Sequence, residues 1–210
     1  MWISRYTRVA VLLLAGWMPV GNASAGEIEF DFKDPKGINS VSFVLDSVLE
    51  PIMGVSTGIS GKVTFDPANP KSLSGRIAID ATQIKCALPG MTKVLHGEDW
   101  IDVAKHPTIE FVFKRVSKVT TSDGKTASLI VVGEMTLKGV TKEIVVSVHV
   151  TFLPDRMGNR MRGAKGDLLV LRSTFTISRK AFGIKPNMGS DAVADDIELR
   201  ISIVGWNKKG

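Results

Sequence analysis

From Glu27 onward the chain alternates apolar and polar side chains almost without interruption, the period-two signature of strands that bury one face. In LSGRIAID, Leu73, Gly75, Ile77 and Ile79 share one side, and Ser74, Arg76, Ala78 and Asp80 the other. Ile109, Phe111 and Phe113 oppose Glu110, Val112 and Lys114 in the same way, and Ile197, Leu199, Ile201 and Ile203 oppose Glu198, Arg200, Ser202 and Val204. A continuous apolar face runs through Ile144, Val146, Val148, Val150 and Phe152. This pattern predicts strands over roughly 27–33, 38–46, 55–66, 73–82, 108–119, 127–138, 142–153, 167–180 and 195–206. The turn signals Asp34-Pro35, Asp66-Pro67, Asp123-Gly124 and Lys138-Gly139 lie between them. Eight or nine antiparallel strands with one apolar face each predict an all-β barrel or sandwich, and their length suits tilted barrel staves better.

Two stretches break the alternation. Cys86–Pro107 holds a Pro-Gly turn, a predicted short helix around Glu98–Val103 and a terminating Pro107. It is expected to cap one barrel end, with Glu98 and Asp99 suited to a helix N-terminus. Leu153–Asp167 sets Arg156, Arg160, Arg162 and Lys165 among glycines. It reads as a mobile basic loop, either a solvated hairpin connection or a contact for lipid head groups.

At the N-terminus, Arg5 and Arg8 precede an apolar run from Val9 to Met18 and the small residues Ala23-Ser24-Ala25. This is the pattern of a cleaved secretory signal peptide over residues 1–25, and the run is too short to span a bilayer. The expected mature chain, 26–210, is one domain with enough residues for a sizeable core, located in the periplasm or secreted. Arg5 and Arg8 carry two of the chain's +6 charges. The mild basicity left is compatible with an anionic membrane surface and too diffuse for nucleic-acid binding. Cys86 is the single cysteine, so no intramolecular disulfide forms and core packing must supply the stability.

Candidate chemistry is sparse. His96, His106 and His149 have no metal-ligand spacing, and no nucleophile elbow, phosphate-binding glycine loop or dinucleotide fingerprint occurs. The carboxylates cluster at Glu98, Asp99, Asp102 and at Asp191, Asp195, Asp196, without a separation that fixes hydrolytic chemistry. The apolar interior remains, and a barrel of this size is either filled by its own side chains or holds one small ligand. Gly61, Gly75 and Gly133 fall on inward faces among large aromatics, where another backbone or a ligand approaches closely.

Several motifs then stand in order along the chain: VSF (41–43), GISGKVTFDP (58–67), GRIAID (75–80), LHGEDWIDVAKHPTIEF (95–111), GEMTLKGVTKEI (133–144) and ISRKAFGI (177–184). Together they resemble the YceI-like family of exported lipid- and polyisoprenoid-binding proteins over almost the whole of 26–210. Departures are Asn39 where a His is common, Trp100 and Ile101 for two Phe, His106 for an aromatic before Pro107, and Cys86 near a usual Thr.

The resemblance implies an elongated, lipocalin-like antiparallel β-barrel of about eight strands with a short helix. It also implies an apolar tunnel for a polyisoprenoid, quinone-like, or another long-chain amphiphile, carried or sequestered without catalysis, metal or further cofactor. Cavity candidates are Phe43, Phe65, Ile77, Ile79, Leu95, Trp100 and Phe111, continuing with Phe113, Met135, Leu137, Phe175, Ile177 and Phe182. His96 and Arg179 are polar candidates for the mouth. Burying a twenty-carbon tail gains about 16 kcal/mol gross at ~0.8 kcal/mol per methylene, much of it offset by ordering the tail. Expected partners are the lipid itself, a membrane surface visited transiently and a second copy in a homodimer, with no nucleic acid. The alternatives are a plugged structural or interaction barrel, and an enzyme acting on a bound lipid with His96, Asp99 or Asp102 at the mouth.

Overall fold

The structure, a computed structural model, describes residues 26–49 and 51–209; the expected signal peptide, 1–25, lies outside the described residues. The strands are β1 (Ile28–Asp31), β2 (Ser40–Leu45), β3 (Ile52–Ser56), β4 (Ile59–Asp66), β5 (Asn69–Asp80) and β6 (Lys85–Cys86). They continue with β7 (Thr108–Ser122), β8 (Thr126–Leu137), β9 (Val140–Leu153), β10 (Gly166–Ser178) and β11 (Asp196–Lys208). Two short helices, α1 (Pro89–His96) and α2 (Met157–Arg160), complete the regular structure with 3-10 turns at Ala81–Gln83 and Lys180–Phe182.

All strands join one antiparallel sheet in the order β1-β4-β5-β7-β8-β9-β10-β11-β2-β3-β6, and Asp31 of β1 meets Trp206 of β11 to close it. The result is a closed eight-stranded barrel because three staves are each built of two strands, β1 with β2, β3 with β4 and β5 with β6. β1 and β2 both run antiparallel to β11, at Trp206 and at Glu198–Ser202 respectively. β3 and β4 are halves of one kinked stave, predicted from the alternation as a single strand over 55–66. The kink is local: Ser56 Oγ accepts from the Gly58 amide, and the Ile59 amide donates to the Thr57 carbonyl.

The β8–β9 hairpin shows how the sequence dictates register. Lys138 (φ 51°) and Gly139 (φ 73°) form a two-residue turn with both φ values positive, whose twist matches that of the flanking strands. The pairing then runs unbroken from Leu137 opposite Val140 to Thr126 opposite Thr151. At Gly61 and Gly75 a Cβ would fall 2.3 Å from the carbonyl oxygens of Arg76 and Lys62, so β4 and β5 press together as only glycine allows. Beyond Gly75 the β5–β7 pairing ends, and Phe65 and Leu73 turn into the cluster that fills that end of the barrel.

Buried apolar residues fall into two clusters. Phe30, Phe32, Phe65, Leu129 and Leu169 belong to the first, whose members beyond the cavity plug one end. Leu95, Ile101, Phe182 and Ile184 belong to the second, which caps the other end over Leu45 and Ile52.

Two local expectations are corrected. The cap helix is Pro89–His96 rather than Glu98–Val103: Pro89 suits the first helical position, and Gly97 closes the helix with its amide on the Val94 carbonyl. Residues 98–106 follow as turns. The basic stretch is not a free loop. Met157 is buried, Arg160 donates to Asp34 at 2.6 Å and to Asn39 Oδ1 at 3.1 Å, and Lys209 bridges Asp155 and Asp167.

Candidate functional site

Between plug and cap lies an internal cavity of about 150 Å³, roughly tenfold what a single water needs. Its length follows from the strands. Ile197, Leu199, Ile201 and Ile203 of β11 all line it, a run of about 20 Å at ~3.3 Å per residue, so the space is long and thin. Ser56, Glu110 and Ser173 are the polar residues among those lining it.

Of the sequence candidates, Phe43, Ile77, Ile79, Leu95, Trp100, Phe111, Phe113, Met135, Leu137, Phe175 and Ile177 face this cavity. They come from β2, β5, β7, β8 and β10 and from the cap, because period-two alternation turns each strand's apolar face inward. Phe111 and Phe113 meet edge to face with ring centres 5.0 Å apart. Gly133 and Gly54 make room for aromatic rings: a Cβ on Gly133 would fall 2.2 Å from Phe111 Cζ, and one on Gly54 2.5 Å from Phe43 Cε1. At Gly133 the close neighbour is therefore a side-chain ring above all, rather than a ligand.

Four candidates sit elsewhere. Phe65 is buried in the plug, because it lies beyond the Val63–Gly75 pair, past the point where β5 leaves β7. Phe182 is buried within the cap cluster, in a 3-10 turn that points it away from the lumen. His96 bonds the Ile84 carbonyl through Nε2 at 2.8 Å, holding the end of α1 to the 3-10 turn before β6. Arg179 is fully buried and faces neither solvent nor cavity. Its guanidinium donates to the carbonyls of Ile184, Lys185, Met188, Val193 and Ala194, so one planar fork of donors organises the whole 184–194 segment. Among the described residues it makes no ion pair, and these backbone carbonyls take up its donors.

The cap is laced to the barrel by Lys138, at the hairpin turn. Its Nζ donates to the carbonyls of Asp99 and Gly183, each at 3.1 Å. Lys185 binds the Asp99 carboxylate, and that hydrogen bond and charge hold the Asp99 carboxyl below its ordinary value. Asp102 is engaged by Lys105. His96, Asp99 and Asp102, the residues an enzyme reading would use, thus serve the cap and do not line the cavity. Among the described residues no cluster of His, Cys, Asp or Glu could hold a metal ion, and no helix is long and apolar enough to cross a membrane.

Lining residues outside the candidate set divide by origin. Val146, Leu171, Leu199 and Ile201 lie on alternating strand faces, so period two alone points to them. Ile84, Ile101 and Ile184 come from the cap, where the sequence has no period to follow.

Comparison with known proteins agrees with this architecture. The chain is 26% identical over 201 residues to a UPF0312 protein of Ectopseudomonas mendocina (strain ymp), covering 94% of this chain and 96% of the relative. Its fold is similar to that of BcnA from Burkholderia cenocepacia, with a TM-score of 0.62 and 24% identity over 79% of this chain and 95% of that one. It is also similar in fold to a polyisoprenoid-binding domain from Saccharophagus degradans implicated in plant cell wall breakdown, with a TM-score of 0.60 and 8% identity over 87% and 99%. The family model for the YceI-like domain matches residues 38–205. With the closed barrel, the capped apolar cavity and this match in place, the chain belongs to the YceI-like family.

Proposed function

We propose that this protein is an exported, non-catalytic carrier that holds one long-chain amphiphile, isoprenoid or fatty, in its barrel cavity. The observation that carries this reading is the cavity lining: a thin channel about 20 Å long whose wall is apolar apart from Ser56, Glu110 and Ser173. Such a wall rewards each buried methylene and offers few groups for recognising a polar molecule. It selects for a slender tail and discriminates weakly among tails. The polyisoprenoid-binding description of the Saccharophagus degradans domain and the signal-like pattern of residues 1–25 support the cargo class and the export.

The test is mass spectrometry of the purified mature protein, under native conditions and after organic extraction. A stoichiometric isoprenoid or acyl species that survives buffer exchange is expected. A clean unliganded mass, repeated after incubation with quinones and fatty acids, would replace the carrier with a plugged structural barrel.

A further inference from the structure

Both ends of the barrel are shut by bonded structure. At the plugged end Arg160, Asp34 and Asn39 pin α2 to the wall. At the other, Lys138 and Lys185 lace the cap. The β5–β7 ladder is broken at the plugged end, and one seam is broken beside the cavity. β9 is paired to β8 from Val140 to Thr151, and β10 to β11 along its full length, yet the β9–β10 ladder stops at His149 opposite Arg172. From there to the cap, among the described residues, no backbone pairing joins Thr141–Val148 to Ser173–Ser178. The lips are joined instead by a side chain: Ser173 Oγ donates to the Ser147 carbonyl at 2.6 Å.

The seam opens on the cavity rather than on filled core. Val146 and Val148 on one lip, and Ser173, Phe175 and Ile177 on the other, all line the cavity. On the β10 lip the inward residues Ser173 and Phe175 are half-buried, whereas Val146 and Val148 on the β9 lip are buried.

We propose that cargo enters and leaves sideways through the β9–β10 seam. An amphiphile slides tail first between the lips and rests with its polar end beside the Ser173 hydroxyl and the Ser147 carbonyl. This rests on the carrier reading above. Parting the lips breaks one side-chain hydrogen bond, whereas lifting the cap breaks the Lys138 and Lys185 contacts and uncovers Phe182 and Ile184. The sideways route is the one with less to break.

The experiment follows a polyene fatty acid probe, parinaric acid, by stopped-flow fluorescence in the mature chain carrying Cys86→Ser. Extending the β9–β10 register past His149 and Arg172 sets Ser147 opposite Thr174 on the outer face. Ser147→Cys with Thr174→Cys is therefore closed across the seam by a disulfide or by dibromobimane, and Asp99→Cys with Lys185→Cys is closed across the cap. The seam crosslink is expected to slow uptake by about tenfold or more, as a locked gate does, with recovery when the disulfide is reduced. The cap crosslink leaves uptake at the uncrosslinked rate. Ser173→Ala, which needs no crosslink, speeds uptake and release together by about three- to tenfold, the factor one net hydrogen bond is worth. Uptake blocked by the cap crosslink, or left at full speed by both the seam crosslink and Ser173→Ala, overturns the proposal. Absence of saturable uptake in every variant, uncrosslinked protein included, removes the carrier reading itself and the seam with it.

Discussion

The ring of Phe111 lies against the bare Cα of Gly133, on the strand directly beside it, where any side chain would collide with it. A Cβ at Gly133 would come within 2.2 Å of Phe111 Cζ and 2.8 Å of the Val112 carbonyl oxygen. The glycine thereby sets where one wall of the cavity stands. Gly133→Ala is expected to push the Phe111 ring into the lumen, costing about 1–3 kcal/mol as overpacking does and weakening binding of an apolar probe. Urea unfolding and a probe titration on the same preparation check both; an unchanged titration would mean the ring moves outward instead.

Filling the channel separates capacity from fold. Leu199 lines the cavity and is half-buried, so Leu199→Trp adds bulk where space exists. The expected result is an unchanged far-ultraviolet circular dichroism spectrum with loss of the extractable lipid. A folded variant that retains its full lipid content would count against the carrier reading.

Arg179 gives a prediction that tells a structural role from a ligand-contacting one. Its removal strips donors from the carbonyls of Ile184, Lys185, Met188, Val193 and Ala194. Arg179→Met should cost about 3 kcal/mol or more, since buried acceptors left unpaired carry their desolvation penalty. Arg179→Lys should rescue little, because an ammonium cannot fan out to the same carbonyls. Chemical denaturation decides it. Were the residue a head-group ligand, both variants would lose binding with stability intact.

Acid should loosen the plugged end through Asp34. Burial pushes this carboxyl up, but hydrogen bonds from the amides of Asn39, Lys36 and Ile38, with the Arg160 charge, prevail and hold it below its ordinary value. A carboxyl lowered in the folded chain stabilises fully above its unfolded pKa of about 3.9. That contribution is lost as pH falls through the lower folded value. Asp34→Asn is expected to cost about 1–3 kcal/mol at neutral pH and to flatten the fall in stability below about pH 4. Urea midpoints of both proteins across that range are the measurement, and parallel curves would exclude Asp34 as the titrating group.

Cys86 should be a slow thiol. Burial raises its pKa, and the Thr92 hydroxyl offsets this only in part. Alkylation of the folded protein by iodoacetamide is expected to lag well behind that of a free cysteine at pH 8 and to accelerate in urea. Equal rates would show that the thiol is open to solvent.

What the sequence made legible, and what it did not, follows from which force sets each position. The inward strand residues were readable because a one-residue slip would reverse every face, so Ile77, Phe113 and Ile201 had to sit where they do. The cap is held by long-range bonds to carbonyls, as in Arg179 to Ala194 and Lys138 to Gly183, and carbonyls leave no mark on residue identity. The true helix was obscured because the acids at 98–99 imitate a helix start while Pro89 supplies the real one. The fate of the basic stretch turned on Arg160 finding Asp34, 126 residues away, a pairing no local pattern announces. Phe65 and Phe182 carried the right chemistry for the cavity, but Phe65 sits past the point where β5 leaves β7 and Phe182 in a 3-10 turn of the cap.

The partition of the barrel into a solid plug and a hollow, capped half has a consequence for redesign. Residues that fix the architecture, such as Phe30, Phe32 and Leu169, are not those that shape the lumen, such as Phe43, Leu199 and Ile201. The lumen can therefore be re-tooled for new cargo one wall residue at a time, with the plug as an untouched foundation.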